Sequence, residues 1–374
     1  MYRSLLAATF TLALVPAASP AQPPRPADDP IKSVDHRIRH KTNVPNFEGQ
    51  EFELAVRERV PVKPNGEAVL CLHGLSIPGT VVYDLPHRDY SWLRYLADRG
   101  YRAYSVDMTG YGGSTRPPPM NDPHNLDGLD RIVVKVQGRE RPYPYTMTSA
   151  DSDVHDIDEA VEFVRRQAKV ERVHLIGTSL GGGRALVYAS RHPEKVGRIV
   201  VQGWGIGVPV DNKPAKLPDS GSPVTVTTEK GFKAKWELMA RRKGQVEPGV
   251  MDVVWKGMQD SDPEGAKWGP GVMRSPGIAL YGWNKSVWEG IKSPVLLVHG
   301  EYDPLDPPGK TLYERLHIVD KVNLTFDGVS HVPYWETGKE HLFAVSVEWI
   351  AKGTADGRLA GEATVTTDGR YKWK

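Results

Sequence analysis

The stretch "HLIGTSLGGGRAL", residues 174–186, leads an apolar run directly into a serine in a glycine-rich setting. "RVHLIG" is typical of a buried strand and "LGGGRALVYASRH" of a helix, so Ser179 falls at a strand-to-helix turn. Gly177 and Gly181 stand two residues on either side, where a tight turn needs small residues. Such a turn pushes the hydroxyl out of the sheet, beside the free N–H groups of the helix start. The pattern predicts that Ser179 is a nucleophile; the alternative is a serine that only caps its helix.

Apolar runs alternate with amphipathic segments on both sides of this turn. "EAVLCLHG", "SPVLLVHG" and "VNLTFDG" read as strands, while "DSDVHDIDEAVEFVRRQ" reads as a helix. Strands separated by helices are typical of an α/β fold with a mostly parallel central sheet flanked by helices. Because ligands bind at the carboxyl edge of such sheets, the loops that follow the strands are where we expect the site.

A serine hydroxyl needs a base to take its proton, and the base needs a carboxylate to orient it. His331 follows the last predicted strand, and Asp303 follows the strand "SPVLLVHG", with Asp306 and Glu301 as competing carboxylates. The order Ser, Asp, His occurs in one known triad scaffold. The remaining candidate histidines are less suitable, because two lie within strands and one on the closing helix: His174, His299 and His341.

The loop after "VLCL" is the expected source of an oxyanion hole. His73 and Gly74 end this strand, so the backbone N–H of Leu75 is placed to act together with that of Leu180. Two such donors stabilise the negative oxygen of a tetrahedral intermediate. His73 is an alternative base, but its position favours a role in shaping the loop.

The composition indicates a globular protein that acts on a small molecule. The chain has 374 residues, 39% hydrophobic and 25% charged, with a formal net charge of +2. No basic stripe suited to nucleic acid is visible, so we expect no nucleic-acid partner. Cys71 is the single cysteine, which excludes an intrachain disulfide, and its place in a strand predicts a buried thiol.

The N-terminus has the order of a secretory signal peptide. Arg3 precedes an apolar run over residues 5–15, and small residues lead to Ala21, after which cleavage is expected. A membrane anchor is the alternative, but the run is shorter than the roughly 20 residues of a membrane span. We therefore expect a secreted or periplasmic protein without stable membrane insertion.

Further motifs make the sequence resemble the α/β-hydrolase fold family. Besides "GTSLG" and the His73–Gly74 pair, "DMTGYGGS" is similar to the family's D-x-x-G-x-G-x-S turn at Asp107, and "GEYDPLDP" to its G-x-x-D-x-x-x-P motif. The resemblance covers most of residues 47–352. It implies a Ser179, Asp303, His331 triad, the oxyanion hole described above, a cap inserted after the sixth strand, and a structural role for Asp107.

The chain divides into segments of different composition. Six of the ten tryptophans, at 204, 236, 255, 268, 283 and 288, fall in the predicted helical cap, which would build its own core and place a few side chains in a pocket. The predicted divisions are the signal peptide (1–21), a linker or flexible arm (22–45), the first core part (46–203) with a proline-rich insertion (117–147), the cap (204–290), the second core part (291–352) and a tail with a possible hairpin (353–374).

These observations lead to a serine hydrolase that is exported and cleaves a carboxylic ester through an acyl-enzyme, with no cofactor and no metal. The substrate expected is a small ester, apolar or aromatic in part. Alternatives on the same residues are amide, lactone or carbon–carbon bond hydrolysis and a cofactor-free haloperoxidase activity. A different class is a ligand-binding module of the same fold that has lost turnover.

Overall fold

The computed structural model describes residues 30–138, 140–204, 216–281, 285–304 and 310–374. Its strands are β1 (Lys32–Lys41), β2 (Glu51–Val60), β3 (Ala68–Leu72), β4 (Arg102–Asp107), β5 (Thr148–Ser149), β6 (Val173–Thr178), β7 (Val196–Gln202), β8 (Val224–Thr228), β9 (Val272–Pro276), β10 (Ile278–Ala279), β11 (Val295–Gly300), β12 (Lys321–Phe326), β13 (Gly361–Val365) and β14 (Tyr371–Trp373). Its helices are α1 (Gly79–Tyr83), α2 (Trp92–Ala97), α3 (Gly128–Val134), α4 (Ala150–Ala168), α5 (Leu180–Arg191), α6 (Glu229–Met239), α7 (Val250–Asp260), α8 (Lys285–Gly290), α9 (Lys310–Arg315) and α10 (Lys339–Lys352).

Ten strands of the described residues form the central sheet, in the order β1-β2-β4-β3-β6-β7-β11-β12-β13-β14. The run from β4 to β13 is parallel, and the strands at both edges are antiparallel to their neighbours. The predicted mostly parallel sheet is therefore confirmed. In this order the carboxyl ends of β3, β6, β7, β11 and β12 lie side by side, which brings the loops after them together.

The sheet is buried on both faces because its inner strands are apolar at every position. In β3, Val69 and Cys71 pack into one hydrophobic cluster with residues of α2 and α10, whereas Leu70 and Leu72 pack into another with residues of α4 and α5. Successive side chains of a strand point to opposite faces, so the two clusters lie on the two sides of the sheet. Cys71 is fully buried as expected, and burial raises the pKa of its thiol.

Both ends of the described chain extend the sheet, which differs from the sequence-based expectation. The predicted linker or flexible arm, 22–45, contains β1, which pairs with β2 along its whole length. Its side chains are mostly exposed, so its sequence lacks the apolar pattern of a buried strand. In the tail, β13 pairs in parallel with β12 and then turns back as β14, so the possible hairpin forms the other edge of the sheet.

The segment expected to be a helical cap is a mixed structure. Helices α6 and α7 are accompanied by an antiparallel pair of strands, β8 and β9, which the sequence reasoning did not foresee. Trp236 and Trp255 pack with α6 and α7, but Trp204 and Trp288 belong to the hydrophobic cluster under α5. Trp283 lies outside the described residues. We keep the word cap for residues 216–276, which cover the carboxyl edge of the sheet.

The insertion over residues 117–147 packs against the cap. Met120, Leu126 and Met147 share a small hydrophobic cluster with Val224 of β8. Arg274 of β9 donates hydrogen bonds to the Met120 carbonyl at 3.3 Å and to a side-chain oxygen of the next residue at 2.8 Å. The insertion is therefore tied to the cap by both apolar and polar contacts.

Residues 1–21, the predicted signal peptide, lie outside the described residues. Within the described ranges, no helix combines the length and the apolar character that crossing a membrane requires.

Candidate active site

Ser179 lies at the turn between β6 and α5, where its backbone takes an uncommon conformation. Its φ is 52° and its ψ is −128°, a backbone conformation that residues other than glycine seldom adopt. The Ser179 N–H donates to the Gln202 carbonyl at 2.7 Å, and the Gly182 N–H donates to the Ser179 carbonyl at 2.9 Å. The turn is thus held on both sides by backbone hydrogen bonds.

The two glycines of the Gly-x-Ser-x-Gly pattern are required by close backbone approach. A Cβ on Gly177 would lie 2.3 Å from the Gly181 carbonyl oxygen, and one on Gly181 would lie 1.9 Å from the Leu72 carbonyl oxygen. Neither space admits a methyl group. The spacing read from the sequence therefore has a steric cause in the structure.

His331 and Asp303 come together as the sequence predicted. Nδ1 of His331 lies 2.7 Å from Oδ2 of Asp303, and both residues are at most 9% exposed. Of the competing carboxylates, Glu301 instead accepts the Gly328 N–H at 2.8 Å, and Asp306 lies outside the described residues. Ser179 and His331 line the same cavity.

The amides of Leu75 and Leu180 are fixed by contacts to the carbonyl of the preceding residue. A carbonyl and the next N–H share one planar peptide, so a contact to the first sets the direction of the second. The Gly74 carbonyl lies 2.8 Å from Nδ1 of His73, and the Ser179 carbonyl accepts the Gly182 N–H. The structure thus gives both candidate oxyanion donors a defined orientation.

His73 has the environment of a neutral structural residue. Its Nε2 accepts the Met108 N–H at 3.1 Å, which leaves the proton on Nδ1, facing the Gly74 carbonyl. Burial, with help from the nearby Arg184, lowers the pKa of His73 to about 3. These contacts suit the loop-shaping role that the sequence favoured.

Asp107 is placed as a turn residue. Its two carboxylate oxygens accept the N–H groups of Gly79 and Gly113 at 2.8 and 3.0 Å. Burial raises the pKa of Asp107, whereas these hydrogen bonds act in the opposite direction. Among the described residues, no three His, Cys, Asp or Glu side chains are grouped so as to hold a metal ion.

Comparison with known proteins agrees with this architecture. Residues 67–224 match the family model described as "alpha/beta hydrolase fold". The carboxylesterase CesB from Bacillus subtilis superposes with a TM-score of 0.54 at 16% identity, over 87% of this chain and 94% of that one. A serine hydrolase involved in carbazole degradation superposes with a TM-score of 0.52 at 16% identity, over 86% and 99%. The chain has the α/β-hydrolase fold.

A curated relative is similar over a shorter region. The 2-hydroxy-6-oxononadienedioate/2-hydroxy-6-oxononatrienedioate hydrolase of Burkholderia vietnamiensis is 30% identical over 155 residues. The match spans about two fifths of each protein, 41% of this chain and 41% of the relative.

The site contains supporting residues that the sequence reasoning missed. Arg184, 2% exposed, donates from Nε to Asp153 at 2.7 Å and from Nη1 to the His73 carbonyl at 3.0 Å. Gln202 is fully buried; its carbonyl accepts the Ser179 N–H, and its side-chain amide donates to the His331 carbonyl at 3.2 Å. The available signal was one polar residue among small or apolar ones, in "GGGRAL" (residues 181–186) and in "IVVQG" (residues 199–203).

The cavity beside Ser179 has a volume of about 500 Å³ and lies between the sheet edge and the cap. On the cap side it is lined by apolar side chains: Phe232, Trp236, Met239 and Met258. Asp130 of α3 and Lys235 of α6 add one charge of each sign to the lining. A cavity with the candidate catalytic groups on one side and apolar side chains on the other suits a largely apolar small molecule.

Proposed function

We propose that this chain is a serine hydrolase that cleaves carboxylic esters through an acyl-enzyme. The observation that carries the proposal is the buried contact between His331 Nδ1 and Asp303 Oδ2, at 2.7 Å, beside a cavity that Ser179 also lines. A carboxylate on Nδ1 holds the proton there and leaves Nε2 as the basic nitrogen. A histidine in this state is what a serine nucleophile requires.

The reaction proceeds in two halves on these residues. Ser179 Oγ attacks the ester carbonyl while His331 takes its proton, and the negative oxygen of the tetrahedral intermediate accepts from the Leu75 and Leu180 amides. His331 then returns the proton to the leaving alkoxide, and the alcohol departs. Water, deprotonated by His331, attacks the acyl-enzyme, and a second tetrahedral intermediate releases the acid and restores Ser179. Asp303 balances the charge of the imidazolium at each step.

The cavity supports a small ester with an apolar or aromatic portion. Phe232 and Trp236 contribute aromatic rings to the lining, and Met239 contributes a flexible side chain that adapts to different shapes. At about 500 Å³ the cavity is in the size range of ordinary small-molecule sites.

Labelling with a fluorophosphonate tests the proposal. We expect one adduct per chain on Ser179, hydrolysis of p-nitrophenyl esters, and loss of both in Ser179→Ala. An α5 serine that does not line the cavity, Ser190, serves as the matched control: Ser190→Ala should retain labelling and turnover. Unlabelled parent protein, or turnover that survives Ser179→Ala, would overturn the proposal.

Carbon–carbon bond hydrolysis by the same residues is the second candidate. The similarity to a protein named as a 2-hydroxy-6-oxononadienedioate hydrolase favours it. The test compares kcat/KM for that dienedioate with kcat/KM for the best p-nitrophenyl ester. A higher value for the dienedioate would assign the chain to this second reaction.

We also propose that the chain is exported and cleaved near Ala21. The order of Arg3, the apolar run and the small residues before Ala21 supports export. Mass spectrometry of protein from the medium or periplasm of an expressing bacterium should find an N-terminus near Gln22. Retention in the cytoplasm with the first 21 residues intact would contradict export.

A further inference from the structure

A fully buried carboxylate with no part in the mechanism above follows His331 by five residues along the chain. Glu336 is 0% exposed and follows the short helical turn at residues 333–335. Four donors contact it: the N–H and the hydroxyl of Ser330, at 2.9 and 2.5 Å, the Gln245 side-chain amide at 3.0 Å, and the Trp236 indole N–H at 3.3 Å. A buried carboxylate whose oxygens are all hydrogen-bonded restricts the positions of the groups that donate to it.

These donors come from two parts of the molecule. Ser330 immediately precedes His331, whereas Trp236 belongs to α6 of the cap and Gln245 to the segment between α6 and α7. Each carboxylate oxygen accepts one donor from each part: Oε1 from the Ser330 hydroxyl and Trp236, and Oε2 from the Ser330 N–H and Gln245. Glu336 is therefore a bridge in which neither side can move without breaking a hydrogen bond.

The electrostatics of Glu336 differ from those of an ordinary ion pair. In the part of the chain that the structure describes, no Lys, Arg or His forms a salt bridge with it, so its charge rests on neutral donors. Burial raises the pKa of the Glu336 carboxyl, and the hydrogen bonds from Ser330, Gln245 and Trp236 act against that rise. Losing a single donor is therefore costly, because no cation compensates.

The cap makes further contacts with the loop after His331, through both main chain and side chains. The Thr337 N–H donates to the Gln245 carbonyl at 2.8 Å, and Arg242 donates to the Thr337 hydroxyl at 3.1 Å. Trp236 packs on Trp335 with ring centroids 5.5 Å apart, and Trp236 lines the substrate cavity. The wall that contacts substrate and the loop that carries the base thus share one buried junction.

We propose that Glu336 is a positioning residue that couples the cap to the His331 loop, so that the wall of the cavity and the imidazole keep a fixed relation during turnover. This inference rests on the proposed function, since it assigns Glu336 a role in the reaction of Ser179 and His331. It predicts that weakening the bridge from the cap side slows chemistry at Ser179.

The variant Glu336→Gln tests the coupling at its centre. A glutamine of the same shape keeps one acceptor oxygen and turns an NH₂ group toward the donors on the other side, where an indole or amide N–H cannot bond to it, so at least one contact is lost. We expect a fall of about tenfold to a hundredfold in kcat per active site titrated with fluorophosphonate, and a similar fall in the second-order rate of labelling. Because both quantities count only folded, reactive sites, a carboxylate needed only for stability would leave them unchanged.

Two further variants complete the test. Gln245→Met removes one of the two cap-side donors, from a residue that does not line the cavity, and we expect it to lower the labelling rate about threefold to tenfold. The matched control is Asp262→Asn, a buried cap carboxylate that binds Arg274 at 2.6 Å and makes no hydrogen bond to the loop over 330–336; its rate per site should equal the parent's.

The outcomes separate this inference from the proposed function. Parent protein that fluorophosphonate does not label would contradict the serine hydrolase assignment itself. A labelled parent with Glu336→Gln and Gln245→Met both within twofold of its rate would overturn only the coupling. If Glu336→Gln does not fold, Gln245→Met decides alone, and an equal loss in Asp262→Asn would also overturn the proposal.

Discussion

Helix α5, which begins directly after Ser179, and helix α6, which lines the cavity from the cap side, differ in how deeply they are buried. Ten of the twelve residues of α5 are buried, against two of the eleven of α6. The turn that leads into α5 contributes Thr178 and Ser179 to the cavity lining, whereas α6 contributes the side chains of Phe232, Trp236 and Met239. In the proposed reaction the nucleophile is thus held by a densely packed region, and the substrate is contacted by side chains of a more exposed helix.

This difference separates the expected effects of mutations. Changes that disturb the sheet-side groups should lower kcat with little effect on KM, because they act on the transition state. Changes in the cap wall should alter KM and the preference among substrates, because they remove contacts made equally before and during the reaction. Glu336 belongs to neither group of changes, because it accepts hydrogen bonds both from Ser330 beside His331 and from the cap.

The largest effect should follow from Asp303→Asn. An asparagine can donate to Nδ1 and thereby favour the wrong tautomer of His331, so the base is lost while the shape of the site remains. We expect kcat for a p-nitrophenyl ester to fall by about 10³ to 10⁴, as in other serine triads. The matched control is Glu301→Gln, which alters a carboxylate of the same loop that binds Gly328 instead; more than a threefold loss there would question the choice of Asp303.

A smaller loss in kcat should result from Arg184→Lys. An ammonium keeps the charge beside Asp153 but cannot reproduce the guanidinium fork that also binds the His73 carbonyl. The loop that presents the Leu75 amide then becomes less defined, and we expect kcat to fall about tenfold with KM changed less than threefold.

The control for this prediction lies on the same helix. Arg191 pairs with Asp151 at 2.7 Å near the surface and makes no contact with the His73 loop, so Arg191→Lys should leave both kinetic constants unchanged. Steady-state kinetics on both variants, with thermal unfolding as a check of folding, would measure the difference. A rise in KM without a fall in kcat would argue that Arg184 acts on binding.

The candidate catalytic residues, which follow the ends of strands, could be predicted from the sequence. Ser179, Asp303 and His331 each follow an apolar run, and parallel strands bring such positions together wherever they stand in the chain. The supporting contacts could not be predicted in this way. Arg184 and Asp153 are 31 positions apart, and Gln202 and His331 129, so local periodicity carries no trace of them.

The strand β1 at the sheet edge and the strand β8 in the cap were predicted less well, because their own residues lack the apolar pattern of a buried strand. In β1 only Ile38 and His40 are buried, so the sequence "KSVDHRIRHK" resembles a polar arm although it pairs fully with β2. In the cap, β8 is a short strand whose residues are mostly only partly buried. Such strands are defined by their partners more than by their own composition.

On the cap side, Phe232→Ala should change substrate preference more than chemistry. The Phe232 ring lines the cavity and packs near Trp236 and Trp255, with centroids 5.8 Å away in each case. Removing it should raise KM for long or aromatic esters about tenfold, since this partly buried ring loses about 1.5 kcal/mol of apolar contact, while kcat for an acetyl ester stays within threefold. Leu238→Ala, on the same helix but 78% exposed and outside the cavity, should leave the chain-length profile unchanged.

The smallest effect at neutral pH, and the clearest one in acid, should come from His73→Gln. In the folded chain burial lowers the pKa of His73 to about 3, below its ordinary value near 6.5, so between these limits the unfolded chain binds more protons at this position than the folded chain. The free energy of unfolding therefore falls as the pH drops through this window. Glutamine keeps an acceptor for the Met108 N–H but does not titrate.

Thermal unfolding from pH 7 to pH 4 should show a flatter decline in Tm for the variant than for the parent. Parallel curves would mean that His73 becomes protonated in the folded state, and the fixed direction of the Leu75 amide would then need another cause.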